Sequence, residues 1–214
     1  MRLPPLYTMI DSSTARHRGW APADVARACL AGGARLLQVR DKEASGGDLL
    51  RLTEVIVELA RPFEAAVIVN DRADVARLAG AAGVHVGQGD LAVAGVRRIV
   101  GNAAIVGLST HDVAQIDAAA GEDVTYLAVG PVFATGTKDT GYAPVGLALV
   151  REAAARSGGR PIVAIGGITL ERAPSLLDAG AASLAVAGDL FATGDPEAQV
   201  RAYGECLRSQ VGDG

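Results

Sequence analysis

Pro22-Ala23-Asp24-Val25-Ala26-Arg27-Ala28-Cys29-Leu30-Ala31-Gly32-Gly33-Ala34-Arg35-Leu36-Leu37-Gln38-Val39 holds a helix, a turn and a strand in one short stretch. Pro22 stands in the first turn of the helix, where the amide it lacks would have no partner. The Gly-Gly pair suits a helix C-cap leading into a tight turn, and Arg35–Val39 is apolar enough for a buried strand. The same turn recurs as Ala79-Gly80-Ala81-Ala82 and as Ala179-Gly180-Ala181-Ala182. One βα unit is used again and again.

Outward from that unit, strand-like runs fall at Leu6–Ile10, Arg35–Val39, Ala66–Val69, Gly83–Val86, Ala104–Leu108, Thr125–Val129, Pro161–Ile165 and Ser183–Ala187. Their near-continuous apolarity suits strands covered on both faces. Helical patterns lie between them at Pro22–Ala31, Asp48–Ala60, Ala73–Ala79, Ala92–Val100, Val113–Ala119, Val145–Ala155, Leu170–Ala179 and Pro196–Leu207. Eight βα units in 214 residues predict a closed (β/α)₈ TIM barrel, a single domain over 1–214 with a frayed tail from 209. No Gly-x-Gly-x-x-Gly follows the first strand, which counts against an open dinucleotide-binding sheet.

Half the residues are hydrophobic and only 4% aromatic, which suits helices layered on a sheet. The net charge of −4 argues against a nucleic-acid partner. Cys29 and Cys206 are distant and read as separate thiols. With no membrane-length apolar run and no signal-like start, the expectation is a cytoplasmic protein without membrane contact.

Of the 20 basic side chains only Lys42 and Lys138 are lysines. Both follow strand-like runs, where a barrel builds its active site. Gln38-Val39-Arg40-Asp41-Lys42 ends the second strand, and alternation turns Gln38, Arg40 and Lys42 to one side. Two cations and an amide suit a phosphate or diphosphate, the alternative being a solvated strand end with local ion pairs. Asn70-Asp71-Arg72 ends the third strand, where a helix N-cap is the competing explanation. His85-Val86-Gly87-Gln88-Gly89-Asp90 ends the fourth. Asp71 and Asp90 would thus face one cleft, as Mg²⁺ on a diphosphate requires. Zinc is not expected, because His85 and His111 lack partner ligands.

Gly107-Leu108-Ser109-Thr110-His111 follows the fifth strand. Its Ser and His are sequence neighbours without a nucleophile elbow, so Ser109 is read as a hydrogen-bond donor to substrate rather than a nucleophile. His111 is read equally as a structural residue at a helix start. The sixth loop, from Gly130 to Gly141, is the longest; it offers hydroxyls and Lys138 and could close over a substrate. Gly166-Gly167 and Gly188-Asp189, after strands seven and eight, permit close approach of backbone amides to a phosphate. Strands two to four therefore make a cationic half and strands six to eight a neutral half. With no activated nucleophile, diphosphate departure is the chemistry such a site suits.

Together Gln-Val-Arg-Asp-Lys (38–42), Asn-Asp-Arg (70–72), His-Val-Gly-Gln-Gly-Asp (85–90), Gly-Leu-Ser-Thr-His (107–111), Gly-Pro-Val-Phe-Ala-Thr-Gly-Thr-Lys (130–138) and Ala-Ile-Gly-Gly-Ile (164–168) resemble the thiamine-phosphate synthase family. The resemblance runs from about Leu6 to Tyr203. It implies a barrel enzyme that joins hydroxymethylpyrimidine diphosphate to thiazole phosphate and releases diphosphate. Carried over, Gln38, Arg40, Lys42, Asn70 and Lys138 hold the pyrimidine diphosphate, with Arg40, Lys42 and Lys138 as the catalytic cations. Asp71 and Asp90 bind Mg²⁺, and Ser109 meets the pyrimidine. Thr135, Thr137, Gly167, Ala187 and Gly188 cradle the thiazole phosphate. The implied chemistry is dissociative, through a pyrimidine carbocation.

Ala134 stands where the family often has Pro, Gly188 where many members have Ser, and Gly89 where an acidic residue is common. The loss of a hydroxyl at 188 implies altered thiazole-phosphate binding. The competing readings are the related thiazole tautomerase, which needs an acid/base at a position like His111, and a non-catalytic thiamine-precursor binding or regulatory protein. Lys42, Asp71, Asp90 and Lys138 favour the synthase. The expected partners are small-molecule substrates alone, and the sequence does not define an oligomeric state.

Overall fold

The apolar runs become eight strands in a computed structural model that describes residues 3–135 and 141–211. They are β1 (Leu6–Asp11), β2 (Leu36–Arg40), β3 (Ala66–Asn70), β4 (Gly83–Val86), β5 (Ile105–Thr110), β6 (Tyr126–Val129), β7 (Ile162–Ile165) and β8 (Ser183–Val186). All pair in parallel in chain order, and β8 closes on β1 through Leu6↔Leu184, Tyr7↔Ala185 and Thr8↔Val186. The helices are α1 (Ser12–His17), α2 (Pro22–Ala31), α3 (Gly46–Ala60), α4 (Ala73–Leu78), α5 (Val93–Val100), α6 (Val113–Ala119), α7 (Gly146–Arg156), α8 (Ala173–Asp178) and α9 (Pro196–Val211). The expected (β/α)₈ barrel is the observed fold.

Alternation along the strands divides the apolar side chains between two cores. Tyr7, Leu36, Ile68, Ile105, Tyr126 and Val163 fill the barrel interior. Their neighbours Leu6, Leu37, Val67, Val69, Val106 and Leu127 pack outward against the helices. Cys29 lies in this outer layer, where burial pushes its thiol up to about 12. Both cysteines are free.

The repeated Ala/Gly turns have one geometry. Ala34 N–H reaches Cys29 O at 2.9 Å, Ala81 N–H reaches Ala76 O at 3.0 Å, and Ala181 N–H reaches Leu176 O at 3.1 Å. Each is the long-range bond of a Schellman cap, with Gly33, Gly80 and Gly180 at positive φ.

Three local features differ from the sequence reading. The helix expected over Leu170–Ala179 opens with a 3₁₀ turn at Leu170–Arg172 before α8. Helix α9 continues past Leu207 to Val211. Helix α1 has no counterpart in the apolar pattern. It is too short for a periodicity and is set instead by Asp11, whose carboxylate accepts from Thr14 N–H at 2.8 Å.

Glycine in β5 is required by the interior. A Cβ on Gly107 would come within 2.1 Å of the Tyr126 ring, which lies beside it in register. Gly107→Ala is therefore expected to destabilise the fold by about 1–3 kcal/mol, the usual cost of overpacking a core. Chemical denaturation measures this.

Candidate active site

The strand ends open into a cavity of about 450 Å³. Gln38, Arg40, Asn70, Ser109, Thr135, Gly167, Ala187 and Gly188 all line it. Parallel pairing explains their convergence: Met9 is level with Gln38 and Asp11 with Arg40, so alternate residues of neighbouring strands turn inward together.

On the β1–β2 side Arg40 forms an ion pair with Asp11, both largely buried. Asp41 turns the other way and binds Arg16 at 2.7 Å. The local ion pairs weighed against function at this strand end are thus present. They still leave polar atoms over: among the described residues, the buried donor Arg40 Nε and the buried acceptor Gln38 Oε1 have no protein partner. A buried polar atom without a partner is costly, so these two atoms invite a polar ligand.

Lys42, Asp71 and Asp90 are not part of the cavity lining; they gather just past the ends of β2, β3 and β4. Lys42 pairs with Asp71, and Asp90 stands beside Asp71 while accepting from Gly87 N–H at 2.8 Å. Asp71 is held at φ 63, in the left-handed region, with its N–H on His85 O at 2.7 Å. Burial raises its carboxyl above the usual range; the Lys42 hydrogen bond opposes this, and the neighbouring Asp90 adds to the rise. Two carboxylates crowded in this way are a fit for a divalent cation, which removes their repulsion. Among the described residues no group of three metal-ligating side chains occurs. The pair therefore suits a metal that completes its shell with water and phosphate oxygens.

On the opposite side the β6 and β7 loops run together. Val132 N–H binds Ile165 O at 2.8 Å and Phe133 N–H binds Gly166 O at 3.0 Å, which delivers Thr135 beside Gly167. Gly167 has φ 63, and a Cβ there would meet the Ala134 carbonyl at 2.5 Å. Asp189 ties the β8 loop down: its Oδ2 accepts from Leu170 N–H at 3.1 Å, Gln199 Nε2 at 3.0 Å and Tyr203 Oη at 2.7 Å. Thr137, expected in this cradle, and Lys138, expected at the diphosphate, lie outside the described residues.

This half is not neutral. Arg18, just past α1, and Arg172, the last residue of the 3₁₀ turn before α8, both line the cavity. Arg172 donates to Gly167 O at 2.6 Å and its guanidinium lies 4.5 Å over the Phe133 ring. Neither is marked in the sequence, because both lie beyond the first residues after each strand.

The histidines also differ from the sequence reading. The Ser–His contact is made by His85, whose Nε2 lies 2.8 Å from Ser109 Oγ. His111 instead donates from Nδ1 to Gly130 O at 2.5 Å and stacks 3.8 Å from Tyr142. It joins the β5 and β6 loops.

A family profile described as thiamine monophosphate synthase matches residues 6–190. A thiamine-phosphate synthase of Mycobacterium sp. (strain KMS) is 45% identical over 96% of this chain and 93% of its own length. That of Roseiflexus castenholzii is 40% identical over 92% of this chain and 85% of its own. Among solved structures, a thiamine phosphate pyrophosphorylase from Pyrococcus furiosus superposes with a TM-score of 0.85 at 26% identity, covering 96% of each chain.

The carboxylate pair has a measurable signature. Because the folded pKa of Asp71 lies above its unfolded value, the fold binds the extra proton just above the ordinary carboxylate pKa. In metal-free protein its contribution to stability therefore falls as pH rises through the folded pKa. A carbon-13 titration should find the Asp71 carboxyl raised, lowered again in Asp90→Asn and raised further in Lys42→Met.

Proposed function

The chain belongs to the thiamine monophosphate synthase family and its activity is that of a thiamine-phosphate synthase, a transferase, and from that premise we propose its substrates, its metal and the roles of its residues. It joins 4-amino-2-methyl-5-(diphosphooxymethyl)pyrimidine to thiazole phosphate, giving thiamine phosphate and diphosphate. The comparisons give no support to thiazole isomerisation or to a purely regulatory role.

The pyrimidine ring occupies the cavity against Gln38 and Ser109, and its diphosphate extends toward Arg40, Asn70 and Lys42. The observation that carries this reading is a pair of buried cavity-lining atoms, Gln38 Oε1 and Arg40 Nε, that have no partner among the described residues. Asp71 and Asp90 hold Mg²⁺, which when bound supplies positive charge for the departing diphosphate. Arg40 and Lys42 stabilise the same leaving group from fixed strand ends, and on the family resemblance Lys138 adds to them.

The C–O bond to diphosphate breaks, leaving a carbocation that the electron-rich aminopyrimidine ring delocalises. The thiazole nitrogen then attacks it. No protein side chain becomes bonded to substrate, so the protein's contribution is charge and alignment. Thr135, Gly167, Ala187 and Gly188 hold the thiazole phosphate, with Thr137 completing the set by resemblance. Arg18 and Arg172 flank that phosphate, which would offset the hydroxyl absent at Gly188.

Purified protein given both substrates and Mg²⁺ should form thiamine phosphate and release diphosphate, and omission of Mg²⁺ should abolish turnover. Failure to form product, together with isomerisation of thiazole carboxylate phosphate, would reverse the assignment. Lys138→Ala should lose ~10²–10³ in kcat, the usual loss on removing one charge-stabilising donor. In thermal melts Asp71→Asn should cancel any rise in stability produced by Mg²⁺.

A further inference from the structure

A continuous chain of hydrogen bonds crosses the barrel beneath the cavity. Gln38 Nε2 donates to Tyr7 Oη at 2.7 Å, and Tyr7 Oη lies 3.0 Å from Tyr126 Oη. Tyr126 Oη lies 3.0 Å from His85 Nδ1, and His85 Nε2 lies 2.8 Å from Ser109 Oγ. The ends, Gln38 and Ser109, line the cavity, and so does an edge of His85. The middle is almost wholly excluded from solvent: Tyr7 is 1% exposed, Tyr126 0% and His85 7%. The Tyr126 and His85 rings stack 5.6 Å apart, and Gly107 leaves room for the Tyr126 ring. Burial raises both tyrosine hydroxyls, so they stay protonated at neutral pH.

Counting protons along the chain, with His85 neutral, gives one direction in which each tyrosine hydroxyl finds an acceptor. An amide nitrogen can only donate, so the Tyr7 oxygen accepts from Gln38. The single Tyr7 proton then goes to Tyr126, and the single Tyr126 proton goes to His85 Nδ1. A neutral imidazole that accepts at Nδ1 carries its hydrogen on Nε2, which donates to Ser109 Oγ. The Ser109 hydroxyl hydrogen is left for the cavity. At the other end Gln38 Oε1, with no partner among the described residues, is left as an acceptor.

We propose that this chain is a polarity relay that presents Gln38 as an acceptor and Ser109 as a donor to the ring bound above it, which makes Tyr7, Tyr126 and His85 positioning residues that select an amino over an oxo pyrimidine. The assignment rests on reading the cavity as the aminopyrimidine site. An aminopyrimidine edge offers the complementary pattern, an exocyclic N–H beside a ring nitrogen lone pair. A 4-oxo ring offers the reverse, a carbonyl beside a ring N–H. Accommodating it requires every link to turn over together, because a single reversal sets two donors or two acceptors face to face in a buried site.

Three measurements decide the matter, none of which needs catalysis. Nitrogen-15 NMR of labelled histidine, with His85 assigned by comparison with His85→Asn, should show Nε2 protonated and Nδ1 bare in the free protein at neutral pH. The opposite tautomer or an imidazolium would overturn the relay. Calorimetric binding of the 4-aminopyrimidinylmethyl diphosphate is then compared in wild type, Tyr126→Phe, Ser109→Ala and the double variant. Tyr126→Phe should weaken binding on the order of 10-fold, the scale of one lost orienting hydrogen bond, and have little effect once Ser109 is Ala. Equal weakening in both backgrounds means a packing role only and rejects the proposal.

Finally, the ratio of dissociation constants for the 4-oxo and 4-amino diphosphates should fall on the order of 10-fold in Tyr7→Phe, which keeps the ring and frees the Gln38 amide. An unchanged ratio overturns the selection. Thermal melts of the phenylalanine variants confirm that the barrel persists. A wild-type protein that binds the aminopyrimidine diphosphate with these signatures but makes no thiamine phosphate would refute the assigned reaction and leave the relay standing.

Discussion

The closure of β8 on β1 sets what every other part of the molecule can do. Leu6, Tyr7 and Thr8 lie level with Leu184, Ala185 and Val186, and no strand of the ring is left with an open edge. Closure commits alternate residues of every strand to an enclosed interior and aligns the strand ends in one ring. Most of the interior is apolar, as a filled barrel requires. The polar residues that face inward are consequently few, and those toward the C-terminal ends of the strands line a single cavity.

That constraint explains the contrast between the two sides of the site. Around β1–β4, charges sit on or next to strand ends, where the ladder fixes their backbone, and they pair with one another: Arg40 with Asp11, Lys42 with Asp71. Around β6–β8 the positions come from loops, and glycines allow the loop backbones to touch. Gly166 and Gly167 take positive φ and pack against Pro131 and Ala134 at distances no Cβ would permit. Asp189, half-buried and accepting from three donors, holds the β8 loop to the β7 loop and α9. One side is organised by charge, the other by backbone shape.

Much of this was open to reading from the residues. The helix–turn–strand unit announced itself because Schellman caps demand glycine at a fixed offset from apolar helices, and all three repeated turns form the same bond. Strand limits were legible because strands buried on both faces are apolar throughout. The residues immediately after the strands were found by position, and eight of those singled out as substrate contacts line one cavity. Less legible were Arg18 and Arg172, which act from beyond the strand ends. Asp11 was also missed, because its partner Arg40 lies on the neighbouring strand and only pairing brings them together.

The sequence by itself determined the unit, its eightfold repetition and the identity of the polar residues at the strand ends, because those follow from local propensity, periodicity and the composition of single segments. The tertiary structure decided which of those residues touch. Ser109 and His111 are two apart in the chain, yet the hydroxyl bonds to His85, because β4 and β5 are neighbours in the barrel. Nothing in their local sequence sets Tyr7 and Tyr126 apart, yet the barrel places their hydroxyls 3.0 Å apart. Hydrogen-bond direction depends on partners far apart in sequence, so it exists only once the ring is closed.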